Sequence, residues 1–168
     1  AAHMAREPLL GGAHACRPLV FERGLSTAFV DPALAFLKGH GVEVRFAALS
    51  GETFSTSDLR GKVVLVNFWA TYCGACMQEM PKMVETHRRL APRGLETVAV
   101  AVRHDDRAQV ARHSKTLPFR VVYDASGEAA RGFGNVRITP TSFLIDRQGR
   151  VLKRFVGQPD WAEVERSL

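Results

Sequence analysis

Two cysteines separated by two residues, Cys73 and Cys76, lie in the run Trp69-Ala-Thr-Tyr-Cys-Gly-Ala-Cys76. So short a loop brings both sulfurs within bonding geometry, and the pair can close and open a disulfide without moving the backbone. The residues that follow read as a helix. The first sulfur then lies beyond the helix N-terminus, where unpaired N–H groups and the positive end of the dipole favour a thiolate. Cys73 is expected to be the exposed attacker of a substrate disulfide, and Cys76, one turn inward, to resolve the mixed disulfide. The competing reading is half of a zinc site. Against it, no second cysteine pair exists, and His87 and His104 lie too far apart for a finger-type second half. Met77 stands directly after the second cysteine, where covalent haem attachment needs a histidine. Cys16 stands alone, a bystander or a link to another chain. The expectation is a redox-active disulfide with no other cofactor and no metal.

Three neighbours of this pair have chemical potential, each with a plainer alternative. Glu79 lies three residues after Cys76 on the same helix face. It can accept the proton that the resolving thiol must lose, or simply be a solvated glutamate. Pro81 removes one helical hydrogen bond, which ends the helix or kinks it; helical spacing through Met83, Val84, His87 and Leu90 favours a kink. Thr139-Pro140-Thr141 opens a strand. Only about 5–6% of X–Pro bonds in folded proteins are cis, so the local sequence favours trans there.

The elements that must position these residues are legible from Val63 onward. Val63 to Trp69 is an apolar β-branched run typical of a strand buried on both faces. Ala75 to Leu90 reads as a helix, Leu95 to Val102 as a second buried strand, and Asp106 to Lys115 as a polar helix. Phe119 to Tyr123 is a short strand, and Ser126 to Phe133 a short helix. Thr141 to Ile145 and Val151 to Val156 alternate around Asp146-Arg-Gln-Gly149 as an antiparallel hairpin. A last helix begins near Pro159-Asp160. This order implies an α/β fold, a mixed central sheet with helices on both faces. Upstream, Asp31-Pro32 is a helix start with Leu34 and Leu37 facing inward and Gly39 and Gly41 ending it; Glu43 to Leu49 alternates as a strand and turns at Gly51. Residues 5–30 show no period.

At 168 residues the chain fits one core. No apolar run approaches the 18 or so residues of a membrane span. Ala1-Ala2-His3-Met4 reads as a cloning remnant, which leaves room for a natural leader or anchor ahead of the sequence. The net charge is +6, yet the basic residues are scattered and not interleaved with aromatic ones, so nucleic acid is not an expected partner.

Taken together, these residues resemble the thioredoxin-like family typified by the TlpA, ResA and CcmG proteins. The resemblance is carried by Leu59-Arg-Gly-Lys-Val-Val-Leu-Val-Asn-Phe-Trp-Ala-Thr-Tyr-Cys-Gly-Ala-Cys76, then Glu79-x-Pro81, then Ile138-Thr-Pro-Thr-Ser-Phe-Leu-Ile-Asp146 with Gly149. It spans residues 43–168, leaving residues 1–42 as an N-terminal extension. It implies a thioredoxin fold, a cis bond before Pro140 set against the cysteines, and a Glu79 that tunes them. It also implies a substrate-binding surface of Trp69, Tyr72, Thr139 and Pro140, on which the Thr139 backbone pairs with an extended substrate segment.

The sequence departs from ordinary thioredoxins at three points. Asn67 occupies the place of a buried proton-handling aspartate, Tyr72 that of a tryptophan, and Gly74-Ala75 lacks a proline. The resemblance implies a monomeric periplasmic or otherwise extracytoplasmic protein that reduces disulfides of protein substrates, such as apocytochrome c or copper-site thiols. A membrane or soluble thiol donor would recharge it. Rival readings are a disulfide oxidase of the same fold and a metal carrier using the same cysteines.

Overall fold

The computed structural model describes residue 37 and residues 41–168. Cys16, the expected helix start at Asp31-Pro32, and Leu34 lie outside the described residues. The elements are β1 (Arg45–Ala47), β2 (Thr53–Ser55), β3 (Val63–Trp69), α1 (Gly74–Leu90), β4 (Leu95–Ala101), α2 (Arg107–Ser114), β5 (Arg120–Tyr123), α3 (Glu128–Gly132), β6 (Thr141–Ile145), β7 (Val151–Val156) and α4 (Trp161–Arg166). Five strands form one sheet in the order β5-β4-β3-β6-β7. β3 pairs parallel with β4 and antiparallel with β6, so the sheet is mixed. This is the thioredoxin fold expected from the sequence.

Every residue of β3, β4 and β6 is buried, as their largely apolar runs required. Alternation along β3 divides the core in two. Val64, Val66 and Phe68 point to one face, where with Phe143 of β6 they meet Phe46 and Phe54 of the β1–β2 hairpin, Ala129 of α3 and Phe133 just after it. Phe133 and Phe143 have ring centroids 4.9 Å apart, and Phe68 meets Phe133 edge-on at 5.5 Å. Val63, Leu65 and Trp69 point to the other face, against Cys76, Met80, Met83 and Leu90 of α1, Val110 of α2 and Val164 of α4. Leu37 and Val42, from the expected extension, are buried in the first of these two cores.

The helices begin where the sequence places caps. Asp106 Oδ1 accepts from Ala108 and Gln109, and Asp160 Oδ1 from Ala162 and Glu163. Helix α1 runs through Pro81 to Leu90, so the proline does not end it. The β6–β7 turn is tied by Asp146, whose Oδ1 accepts from Gln148 and Arg150, and closes on Gly149 at φ 83°. The expected strand over Glu43 to Leu49 is shorter than its alternation. Burial alternates there, but only Arg45 to Ala47 form the strand, because β2 supplies just three ladder pairs; beyond them Val44 bonds Thr56, and Ala48 and Leu49 turn to Val122 and Val121 of β5.

At Gly132 the end of α3 is pressed against Val44 so closely that a methyl group there would collide with the valine side chain. Gly132→Ala should therefore lower stability by about 1–3 kcal/mol through overpacking. Urea denaturation checks this, and an unchanged midpoint would show that the contact yields freely.

Candidate active site

The loop Ala70–Tyr72 delivers Cys73 from the end of β3 to the start of α1. It is anchored from outside its own segment. Asp105, nearly buried, accepts from the Thr71 backbone N–H at 2.6 Å and from the Thr71 hydroxyl at 2.5 Å. The Tyr123 hydroxyl in turn donates to the Asp105 carbonyl at 3.1 Å. Cys73 is the N-cap of α1, and its sulfur accepts the Cys76 N–H at 3.2 Å. The same N–H would stabilise a thiolate on Cys73 once the bond is reduced. Cys73 and Cys76 are joined as a disulfide, with Cα atoms 5.2 Å apart. Cys73 is half-buried and Cys76 wholly buried, an asymmetry that gives an incoming sulfur access to one cysteine only.

Behind the pair, a polar cluster is sealed between α1 and the sheet. Asn67 and Ser142 are directly opposed across β3 and β6. Asn67 Nδ2 donates to Ser142 Oγ at 2.9 Å and to Glu79 Oε1 at 2.8 Å. Glu79 lies one turn beyond Cys76 on the buried face of α1 and is only 4% exposed. Its Oε2 has no hydrogen-bond partner among the described residues. Burial pushes the Glu79 carboxyl up to about 7, and the Asn67 amide only partly opposes this. A carboxyl that titrates near neutral pH suits proton exchange with a thiol.

The Thr139–Pro140 bond is cis. Pro140 is buried, Thr139 half-buried and Tyr72 fully on the surface. Trp69, expected on the substrate-binding surface, is instead completely buried, with its ring edge-on to His113 at 6.3 Å. As the last residue of β3 it points inward with Val63 and Leu65, so it supports the active-site loop from below. The sequence reading missed Ser142, Thr71 and Asp105. Ser142 had a weak signal, a polar residue beside Thr141 at the start of a strand that is otherwise apolar, as Asn67 is within β3; the register that opposes them is known only from the sheet. For Asp105 there was none, because its partner lies in another loop.

The chain matches the Redoxin family model over residues 30–168. It belongs to the redoxin family. ResA, a thiol-disulfide oxidoreductase from Bacillus thuringiensis, is 35% identical over 122 residues, 71% of this chain and 69% of that one. The thioredoxin-like protein YneN of Bacillus subtilis is 36% identical and covers 71% of each chain. Among solved structures, a thiol:disulfide interchange protein of the thioredoxin family from Chlorobium tepidum superposes with a TM-score of 0.67 at 32% identity, covering 75% of this chain and 90% of that one. With the bonded Cys73–Cys76 pair, these similarities make this redoxin a thiol–disulfide oxidoreductase.

The raised carboxyl of Glu79 links folding to pH. A buried group that prefers to be protonated stabilises the fold fully below its unfolded pKa of 4.5 and loses that contribution as pH rises through about 7. The oxidised protein should lose up to about 3 kcal/mol across this window, and Glu79→Gln should flatten the slope. Urea midpoints at about pH 5 and about pH 8 measure it; an equal slope in the variant would assign the titration to another group.

Proposed function

We infer that this oxidoreductase reduces disulfides in protein substrates outside the cytoplasm, with apocytochrome c or copper-site cysteines as the class of target. The observation that carries this is the joint arrangement of a half-buried Cys73, a sealed Cys76 and a buried Glu79 one turn further along the same helix. The Cys-x-x-Cys-x-x-Glu-x-Pro resemblance supports the same assignment.

In the reduced protein the Cys73 thiolate attacks one sulfur of the target disulfide. That bond breaks, the other target sulfur leaves as a thiolate, and a mixed disulfide forms. Cys76 then gives its proton to the Glu79 carboxylate and attacks the Cys73 sulfur. The second target thiol is released and the Cys73–Cys76 disulfide closes. Two electrons have passed to the target, and a thiol donor must return them. Tyr72 and Thr139 form the surface that receives the target, with the buried Pro140 behind them, and the Thr139 backbone aligns its extended segment. No further cofactor enters these steps.

Cys73→Ser should abolish turnover of a model protein disulfide, whereas Cys76→Ser should accumulate the mixed disulfide, seen as a higher-mass band on non-reducing gels. Normal turnover by the Cys76 variant would reverse the assignment. Glu79→Gln should slow release from the mixed disulfide on the order of 100-fold, as loss of a positioned acid–base group does. A reduction potential near about −270 mV fits a donor of electrons, and one near about −120 mV would instead make the protein an oxidase.

A further inference from the structure

Beside the disulfide, a cleft of about 420 Å³ opens between Tyr72, which precedes Cys73, and the loop that carries Thr139. Its walls are basic. Arg103 and His104 follow β4, Arg131 lies on α3, and Arg137 stands two residues before Thr139. Elsewhere the molecule matches many of its cations to acids: Arg89 and Arg93 to Glu165, Arg120 to Glu52 and Glu96, Arg150 to Asp146, Lys153 to Glu163. Arg103, Arg131 and Arg137 make no ion pair with a carboxylate among the described residues.

The arrangement concentrates positive charge. Gly127, in the left-handed region, turns beneath two of these side chains. A methyl group at Gly127 would lie 3.2 Å from Arg131 Nη1 and 3.4 Å from Arg103 Cδ, so both arginines cross the same spot. Arg103 Nε donates to His104 Nε2 at 3.0 Å, and Arg131 Nη1 to the Ser126 carbonyl at 3.0 Å; these bonds orient the guanidinium groups without neutralising them. The one acid lining the cleft, Asp124, is nearly buried and spends both oxygens on the N–H groups of Ala129 and Ala130, at 3.1 and 2.9 Å. With only this one buried carboxylate among them and no ion pair to it, the clustered cations leave the cleft net positive and attract an anion.

Of the four large apolar side chains exposed among the described residues, Tyr72 at 67% lines this cleft, and Ile138 at 59% lies in the chain between two residues that line it, Arg137 and Thr139. An aromatic and an aliphatic anchor beside planar cations match a protein surface better than a small anion.

We propose that this cleft selects substrates, binding an acidic protein segment next to the target cysteine so that its carboxylates meet Arg103, Arg131 and Arg137 while its sulfur meets Cys73. The proposal rests on the disulfide-exchange reading above and adds the charge of the preferred partner. These arginines are specificity-determining and take no part in the sulfur chemistry.

The test uses the reduced full chain and two synthetic peptides with the same disulfide, one flanked by glutamates and the other by glutamines. The second-order rate of thiol release should favour the acidic peptide by roughly tenfold at low salt, as expected for a few exposed charge pairs. Arg103→Gln combined with Arg137→Gln should bring that ratio to near one, as should about 1 M salt, where charges are screened within about 3 Å. Arg166, on α4 with its guanidinium facing the capping Asp160, serves as the control: Arg166→Gln should leave the ratio as it was. Equal rates for both peptides with the native chain would overturn the proposal while leaving disulfide exchange intact. So would a ratio that survives the double substitution. Failure to reduce either peptide would remove the exchange reading, and the proposal with it.

Discussion

The seating of helix α1 on the centre of the sheet is the constraint from which the site follows. Cys76, Met80, Met83 and Leu90 share one buried face of that helix with Glu79, and they press it onto β3 and β6. Because the helix is fixed along this stripe, its first turn must carry one sulfur inward and leave the other at the rim. Disulfide exchange needs such a division, since an attacking sulfur must be reached and a resolving one protected from competing partners. A helix held only by its C-terminal half would leave both sulfurs equally open.

The same seating creates a polar problem and uses it. Asn67 occupies a position on β3 where the pleat demands an inward side chain, and Ser142 faces it from β6. Glu79 completes the cluster from the helix side. An ionised carboxylate in that place would be poorly compensated, since one amide donor reaches only one of its oxygens. The carboxyl therefore holds its proton to near neutral pH. Replacing a buried aspartate of ordinary thioredoxins by Asn67 thus does more than delete a titrating group: the amide positions and partly stabilises a different carboxyl, supplied by the helix that also bears the cysteines.

Around the sulfurs, the surface is built by elements far apart in the chain. The Asp105 loop after β4 ties down Thr71, the segment before β6 presents Thr139 and Pro140, and α3 brings Arg131 beside Tyr72. Trp69, the last residue of β3, is withdrawn from this surface and packs beneath it. What approaches Cys73 therefore meets loops of mixed origin, with charge on one flank and backbone at the proline.

The fold was legible because its elements are signalled by local chemistry. β-branched runs marked β3 and β4, Asp106 and Asp160 marked helix starts, and Asp146 to Gly149 marked the hairpin turn. The cysteine pair and its helix were legible for the same reason, spacing being a local property. The depth of Trp69, the extent of β1, and the partners of Glu79 were decided by tertiary structure. Residues 67, 79 and 142 meet only when a helix packs on two strands of opposite direction, and no short-range pattern encodes that distance. The cis bond before Pro140 lies between these cases: its local sequence favours trans, and resemblance to a family supplied what the dipeptide could not. Sequence alone thus determined which atoms can exchange electrons. Packing decided which of them a partner can touch, because burial and the proximity of distant charges arise only once the sheet and its helices close on one another.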